Sequence, residues 1–225
     1  MDDPAQTIIV TVDVVMFGVA PGGGLKVLLP PRPREPFAGV QALPGVYIQS
    51  NDADAQAAAK RALVVKAGVE SPYLEQLATF SGPARDPRGW AVSIAYYALV
   101  PWGVLGTAAA QMVDVNKLPR LPFDHDEIID AALARLRSKS SYSELPLHLM
   151  PPLFTLAELQ DVYERVMEEE ISRTLFRKRM VDGGLIVETG EMSRGGAHRP
   201  AAVFRRGQGG VIAPIPALSA RMKKQ

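Results

Sequence analysis

A change in the spacing of apolar residues near position 122 constrains the fold more than any other feature of the chain. Before this point, stretches rich in β-branched residues alternate with Gly/Pro turns, which predicts strands over residues 7–17, 25–29, 74–80 and 92–100. After residues 119–122, apolar residues recur at a helical period of about 3.6. A strand-rich part followed by a helix-rich part indicates an α+β protein.

One helix is predicted among the strands, over residues 54–69. The segment is rich in alanine, Asp52 or Asp54 can cap its first turn, and Gly68 can end it. Strands around a helix indicate a first domain that ends near Pro122.

Three further helices are predicted downstream. The first carries one apolar stripe, formed by Ile128, Ile129, Ala132, Leu133 and Leu136. The second begins at a capping box, in which the Thr155 hydroxyl and the Glu158 carboxylate satisfy amides of the first turn. The third runs over residues 172–182, ends at two glycines, and is followed by short strands over residues 185–189 and 201–205.

The third of these helices has two chemically different sides. We expect four apolar residues to face the core: Ile171, Leu175, Phe176 and Met180. The other side carries two pairs spaced four residues apart, Arg173 with Arg177 and Thr174 with Lys178. Two helices joined by a short turn, the second presenting arginine and lysine, match a helix-turn-helix that reads the major groove. A solvated helix face is the alternative interpretation.

The loop between the last two strands is rich in glycine and positively charged. Arg194, His198 and Arg199 can donate hydrogen bonds to phosphates or into a narrow minor groove, which predicts the wing of a winged helix. His198 as a metal ligand is the alternative, but His125 and His148 are distant in sequence.

Charge is divided unevenly along the chain. Residues 171–225 contain 11 Lys/Arg and 3 Asp/Glu, whereas the preceding residues contain 14 and 21. A basic end on an acidic body predicts a polyanionic partner, with a solvated basic tail as the alternative. There is no cysteine and no stretch of about 18 apolar residues, so we expect a cytoplasmic protein without disulfides or a membrane span.

The sequence Leu43-Pro44-Gly45, together with Arg61 and Gly68, resembles a Nudix domain. The Nudix signature holds a divalent metal with glutamates, but its three helix positions fall here on Ala62, Val65 and Lys66. The upstream glutamate would fall near Asp52 or Ala53, and the second glycine of the usual pair is Val46. Hard carboxylate oxygens are what Mg²⁺ requires, so the resemblance implies neither a metal site nor catalytic residues.

The resemblance extends over nearly the whole chain, from residue 7 to about residue 206. The motifs that carry it are Pro36-Phe37-Ala38-Gly39, Arg85-Asp86-Pro87-Arg88-Gly89, Pro122-Phe123-Asp124-His125, Phe154-Thr155-Leu156 and His198-Arg199-Pro200-Ala201. Together they resemble the Nudix-related regulators of NAD metabolism, the NrtR family with its NadQ relatives. The resemblance implies a Nudix-like α/β/α sandwich with a mixed sheet, followed by a C-terminal winged helix-turn-helix.

What the resemblance implies for function is a homodimeric repressor of NAD biosynthesis or salvage genes. It would bind a palindromic operator in double-stranded DNA and respond to an adenine nucleotide such as ADP-ribose, NAD or ATP, with no other cofactor. The family's DNA-facing elements correspond to Arg173, Thr174, Arg177, Lys178, Arg194, His198 and Arg199. The expected boundaries are 1–122 for the sensing domain, 123–207 for the winged helix and 208–225 for a tail.

Five residues are expected at the nucleotide, and Arg34 is an additional candidate beside them. Arg85, Asp86 and Arg88 resemble the family's stretch beside the pocket, where arginines can hold a diphosphate without metal; the alternative is that Asp86 and Arg88 only fix the loop. Arg32, with Arg34, is a further candidate, and Lys66 would supply the charge of the missing metal. Two rival functions remain: a metal-dependent nucleotide-diphosphate hydrolase, and a nucleotide-binding module that acts through a protein partner.

Overall fold

The computed structural model describes residues 7–193 and 200–207. The predicted wing residues Arg194, His198 and Arg199 lie outside these ranges. The described residues form two compact units: 7–18, 26–100 and 104–134 make the first, and 19–25, 101–103, 135–193 and 200–207 make the second. The predicted domain boundary at 122 stays a prediction, because contacts group residues without showing which segments fold independently.

The first unit is built on a six-stranded mixed sheet. Its strands are β1 (Ile9–Val19), β2 (Leu25–Leu28), β3 (Gly45–Tyr47), β4 (Tyr73–Gly82), β5 (Ala91–Leu99) and β6 (Met112–Asp114). Their order is β4-β5-β1-β2-β6, and β3 also pairs with β1. Strands β1 and β5 pair in parallel, whereas β1–β3, β2–β6 and β4–β5 are antiparallel. The predicted mixed sheet is therefore confirmed.

Two helices belong wholly or partly to this unit. Helix α1 (Ala55–Ala67) begins at Asp54, whose carboxylate accepts a hydrogen bond from the Ala57 amide, and ends at Gly68 in the left-handed conformation. Helix α2 (His125–Ser140) buries the whole predicted stripe, from Ile128 to Leu136. Both helices occur where capping residues and apolar spacing predicted them.

The second unit contains a three-stranded antiparallel sheet and two further helices. Its elements are β7 (Phe154–Thr155), α3 (Leu156–Met167), α4 (Arg173–Arg177), a π-helical turn (Lys178–Asp182), β8 (Ile186–Met192) and β9 (Ala202–Arg206), with the sheet in the order β7-β9-β8. The capping box of Thr155 and Glu158 is present at the start of α3. Helix, turn, helix and hairpin in this order form a winged helix, which confirms the predicted fold.

The predicted core of the third downstream helix is wrong at one position. Ile171, Phe176 and Met180 are buried, but Leu175 is 50% exposed. The regular α-helix is only five residues long before the π-helical turn begins, so within it Phe176 alone is fully buried. Phe176 packs edge-on against Tyr163 of α3, with ring centroids 5.2 Å apart.

The sequence patterns also missed the short strands β3, β6 and β7, which have two or three residues each. Among the described residues, none of the helices combines the length and the apolar character that crossing a bilayer requires.

Candidate functional site

A polar cleft of 590 Å³ opens in the first unit. It lies between strands β1 and β3, helix α1, the start of α2 and the loops around residues 32–35 and 85–88. Six basic side chains line it, Arg32, Arg34, Arg61, Lys66, Arg85 and Arg88, against three carboxylates, Asp13, Glu35 and Asp86. The surplus of positive charge suits an anionic ligand.

All five ligand residues expected from the sequence line this one cleft. Arg32, Lys66, Arg85, Asp86 and Arg88 come from a loop, a helix and a second loop, yet the fold brings them together. Their role in binding stays a prediction, but their hydrogen bonds distinguish those that hold the protein together from those that face the cleft without a protein partner.

Arg85 holds the start of α2. Its Nε and Nη2 atoms donate to the two carboxylate oxygens of Asp124 at 2.8 and 2.7 Å. The side chain is only 8% exposed, and Nη2 also lies 3.8 Å from an oxygen of Asp13. With a bidentate partner in a nearly buried setting, Arg85 fixes the geometry of the cleft wall.

Arg88 is paired as well, in the way that the alternative interpretation expected. Its side chain donates to both oxygens of Asp86 at 2.9 and 2.6 Å, and its backbone amide donates to the same carboxylate at 2.9 Å. Burial opposes ionisation of Asp86, but these hydrogen bonds outweigh it and lower the pKa of the carboxyl. The Arg88 guanidinium also contacts the Tyr47 hydroxyl and lies over its ring, 5.6 Å from the centroid.

Arg61 completes a third pair. It donates to both oxygens of Asp52 at 2.8 and 2.7 Å and to the Tyr47 carbonyl at 2.8 Å. The hydrogen bonds from Arg61, and then that from the Gln49 amide, lower the pKa of Asp52 to about 2. Asp52 therefore binds an arginine, and Asp54, not Asp52, caps the helix.

The residues at the Nudix glutamate positions do not fit a divalent metal. Ala62 is 0% exposed in the core, Val65 is 65% exposed at the cleft, and Lys66, a cation, also lines the cleft. Within residues 7–193 and 200–207, no group of three or more His, Cys, Asp or Glu side chains is placed to bind a metal ion. An alanine, a valine and a lysine provide no oxygen ligands, so no step through a metal can be derived.

A buried polar network forms the floor of the cleft, and sequence reasoning missed it. The Ser93 hydroxyl donates to Asp13 at 2.6 Å, and the other Asp13 oxygen lies 4.0 Å from Nε2 of His125. The Leu43 amide donates to Nδ1 of His125 at 3.1 Å, which places the ring proton on Nε2. Burial lowers the pKa of His125, so the ring is neutral.

This network also explains Gly45, because a Cβ atom there would collide with Oδ1 of Asp13. The motifs Leu43-Pro44-Gly45 and Pro122-Phe123-Asp124-His125 mark both halves of the network in the sequence. Nothing in their spacing shows that they meet.

Three cations that line the cleft keep donors without a partner among the described residues. Arg32 donates through Nε to the Pro36 carbonyl at 2.8 Å and lies over the Phe123 ring at 4.7 Å, which leaves its terminal nitrogens without a hydrogen-bond partner in the described part of the chain. Burial, and then the charge of Arg88, lower the pKa of Arg32. Within residues 7–193 and 200–207, Lys66 and Arg34 form neither ion pairs nor side-chain hydrogen bonds.

The second unit presents a different basic surface. Arg173, Thr174, Arg177 and Lys178 are all exposed on α4 and the turn that follows it. The neighbouring Arg179 instead points inward and donates to the Ser141 carbonyl at 3.1 Å. Phe176 and Arg179 thus anchor the segment, while the four predicted DNA-facing residues remain in solvent. Arg206, at the end of β9, pairs with Glu144 and His148.

Comparison with known proteins identifies relatives that cover both units. Residues 146–206 match the family of NrtR DNA-binding winged helix domains. The ADPR responsive transcriptional repressor NtrR of Acinetobacter baylyi is 38% identical over 205 residues, covering 88% of this chain and 81% of the relative. An ADP-ribose pyrophosphatase of Methanocaldococcus jannaschii is 35% identical over 108 residues, covering 46% of this chain and 63% of that enzyme.

Solved structures of Shewanella oneidensis NrtR agree with this result. The structure of its complex with a 27mer DNA has a TM-score of 0.80 and 35% identity, and the match covers 88% of this chain and 93% of that one. Its Nudix domain in complex with ADP-ribose matches 60% of this chain and 93% of that one, with a TM-score of 0.52 and 36% identity. The chain therefore belongs to the NrtR family of Nudix-related transcriptional regulators.

Proposed function

We propose that this protein is a transcriptional repressor that binds double-stranded DNA through its second unit. Binding of ADP-ribose or a related adenine nucleotide in the cleft of the first unit raises or lowers its affinity for DNA. The observation that carries the proposal is the composition of the cleft. It has a surplus of cations, and its helix positions for metal-binding glutamates hold Ala62, Val65 and Lys66. Such a cleft suits binding of a diphosphate better than its hydrolysis.

The unpaired cations point to where a diphosphate would lie. Arg85, Arg88 and Arg61 each pair with a carboxylate. Lys66, Arg34 and Arg32 also line the cleft, but they form no ion pair within residues 7–193 and 200–207. A planar guanidinium and an ammonium group can together neutralise the two charges of a diphosphate. Lys66 supplies positive charge on the helix that binds metal in a hydrolase.

The basic surface of α4 supports the DNA-binding half of the proposal. Arg173, Thr174, Arg177 and Lys178 are exposed on the second helix of a helix-turn-helix, the element that enters the major groove in this architecture. We further propose that Arg194, His198 and Arg199 contact the DNA from the wing. The relatives whose names and complexes include ADP-ribose and DNA favour the same pair of partners.

Finer features of the proposal concern assembly and targets. A homodimer on a palindromic operator is expected, because one winged helix reads a short half-site and pairing two adds affinity and length. Genes of NAD biosynthesis or salvage are the proposed targets, since an ADP-ribose-type effector reports on NAD turnover.

A metal-dependent hydrolase is the rival function, and the match to an ADP-ribose pyrophosphatase favours it. The missing carboxylates oppose it, because diphosphate hydrolysis in this fold requires ligands that gather Mg²⁺. An assay of ADP-ribose cleavage with Mg²⁺ or Mn²⁺, followed by a phosphatase and phosphate detection, distinguishes the two. ADP-ribose cleavage by the wild-type chain that depends on the metal and stops on addition of EDTA would support the hydrolase.

The test of the leading proposal is a fluorescence-polarisation titration of the full chain. The duplexes come from its own upstream region and from NAD-biosynthesis promoters, at two salt concentrations, with and without ADP-ribose, NAD and ATP. We expect tight binding to one palindrome, and an affinity that one nucleotide changes. Weak binding that is equal on all duplexes and indifferent to every nucleotide would overturn the proposal and favour a protein partner.

A further inference from the structure

Leu175 is an apolar side chain on the exposed side of α4, among the residues proposed to face DNA. It is 50% exposed, whereas the adjacent Phe176 is buried. Its exposed neighbours in the sequence are Thr174 and Arg177. A half-exposed leucine has no evident purpose on a surface that otherwise consists of groups able to contact phosphate or polar base edges.

The geometry of a helix places Leu175 at one edge of this surface. Successive residues are rotated by about 100° around the helix axis, so Thr174 and Lys178 lie close together at the centre of the exposed side. Arg173 and Arg177 then flank them on one edge, and Leu175 flanks them on the other. The surface therefore has a cationic edge and an apolar edge.

The chemistry of the major groove limits what an apolar edge can contact. Its base edges present hydrogen-bond donors and acceptors, and the one apolar group among them is the C5 methyl of thymine. A leucine pressed against any other base edge would remove polar atoms from water without replacing their hydrogen bonds, which is unfavourable.

We propose that Leu175 contacts the C5 methyl group of a thymine in the operator and so selects a T·A pair at one position of each half-site. This inference rests on the proposed function, since it requires that α4 lies in the major groove. It adds a residue that determines sequence preference to a surface whose other members determine affinity or read guanine and adenine.

Uracil tests the inference directly, because it differs from thymine only by the missing methyl group. Each thymine of the bound duplex is replaced by uracil, one at a time, and the affinity of the full chain is measured by fluorescence polarisation. Loss of one contacted methyl should weaken wild-type binding by about fourfold. Leu175→Ala should bind the thymine and uracil duplexes equally.

Leu153→Ala is the matched control, because Leu153 is 49% exposed in the same unit but lies outside α4. It should retain the wild-type sensitivity to uracil. Equal thermal unfolding of the three proteins shows that the substitution has not altered the fold.

Two results would overturn the inference: wild-type protein that tolerates uracil at every position, or Leu175→Ala protein that remains as sensitive as wild type. Failure of the wild-type protein to prefer any duplex is a different result, since it overturns the proposed function itself and the inference with it.

Discussion

The cations of the cleft and the cations of α4 differ in what they bind within the protein. In the cleft, Arg61, Arg85 and Arg88 each form a bidentate pair with an aspartate. On α4, Arg173 and Arg177 are exposed, and no ion pair in the described part of the chain involves them. The arginines that pair with a carboxylate fix the shape of a site, whereas the unpaired arginines are available to bind a polyanion.

The largest expected effect comes from breaking the most buried of these pairs. Arg85→Met leaves the Asp124 carboxylate without its partner in a largely buried setting, which should lower the free energy of unfolding by about 3–5 kcal/mol. Urea unfolding measures the change. Arg165→Met is the control, because it removes an exposed pair with Asp161 and should lower the free energy of unfolding by about 0.5 kcal/mol or less. Equal losses in the two variants would show that the Arg85 pair is not structural.

Substitution of an unpaired cation of α4 should weaken DNA binding and leave folding stability unchanged. Arg177→Ala should leave thermal unfolding unchanged but weaken operator binding by about 1–3 kcal/mol. If Arg177 contacts phosphate, the log–log slope against salt should also decrease by about 0.9. Arg206→Gln removes a cation that is paired with Glu144 and should change DNA affinity less. A larger effect of Arg206→Gln would break the distinction between paired and unpaired cations.

Within the cleft, Lys66 is one of the unpaired cations, so its substitution tests ligand binding without breaking an ion pair. Lys66→Glu should weaken ADP-ribose binding by about tenfold or more, because the substitution puts a carboxylate beside the diphosphate. Calorimetry in the presence of EDTA measures it, and EDTA should not change the wild-type affinity. Lys60→Glu makes the same charge change on the exposed side of α1, away from the cleft lining, and should have little effect. Equal effects of the two variants would assign the loss to net charge alone.

The smallest effect concerns His148, which lies beside Arg206 and Glu144. Burial, and then the charge of Arg206, lower the pKa of His148 from 6.5 to about 4. As the pH falls from 6.5 to about 4, the unfolded chain binds a proton that the folded chain does not, so the free energy of unfolding decreases. His148→Gln should therefore flatten the dependence of stability on pH in this window. An unchanged profile would show that His148 does not contribute to the slope, which would then come from other groups with lowered pKa values, among them His125 and Asp86.

Local signals in the sequence predicted much of the fold. The caps of α1 and α3 and the buried stripe of α2 depend on residues within a turn or two of one another, so their spacing is visible in the chain. The missed strands β3, β6 and β7 are too short to show any periodicity, and they form because neighbouring strands offer unpaired backbone groups.

The candidate site was predicted less completely, for a physical reason. Arg85 finds Asp124 across 39 positions, and the Leu43 amide finds His125 across 82. Such pairs depend on which strands are neighbours in the sheet. Composition and the spacing of residues do not show this arrangement. The sequence therefore predicted which residues gather at the cleft, but it did not show that Arg85 pairs with Asp124. Leu175 shows the same limit at smaller scale, because its exposure depends on where the regular helix gives way to the π-helical turn.

The burial of Ala62 has a consequence for any attempt to build a metal site into the cleft. At this position the Nudix signature requires a glutamate, yet the alanine is completely enclosed by the core of the first unit. A glutamate introduced there would displace apolar packing and carry a carboxylate into it, at a cost of several kcal/mol, so a variant that regained it would lose stability before it gained any chemistry. Val65 and Lys66 stand at the surface of the cleft and are free to change. Packing thus tolerates a carboxylate at two of the three helix positions of the signature and opposes one at the third.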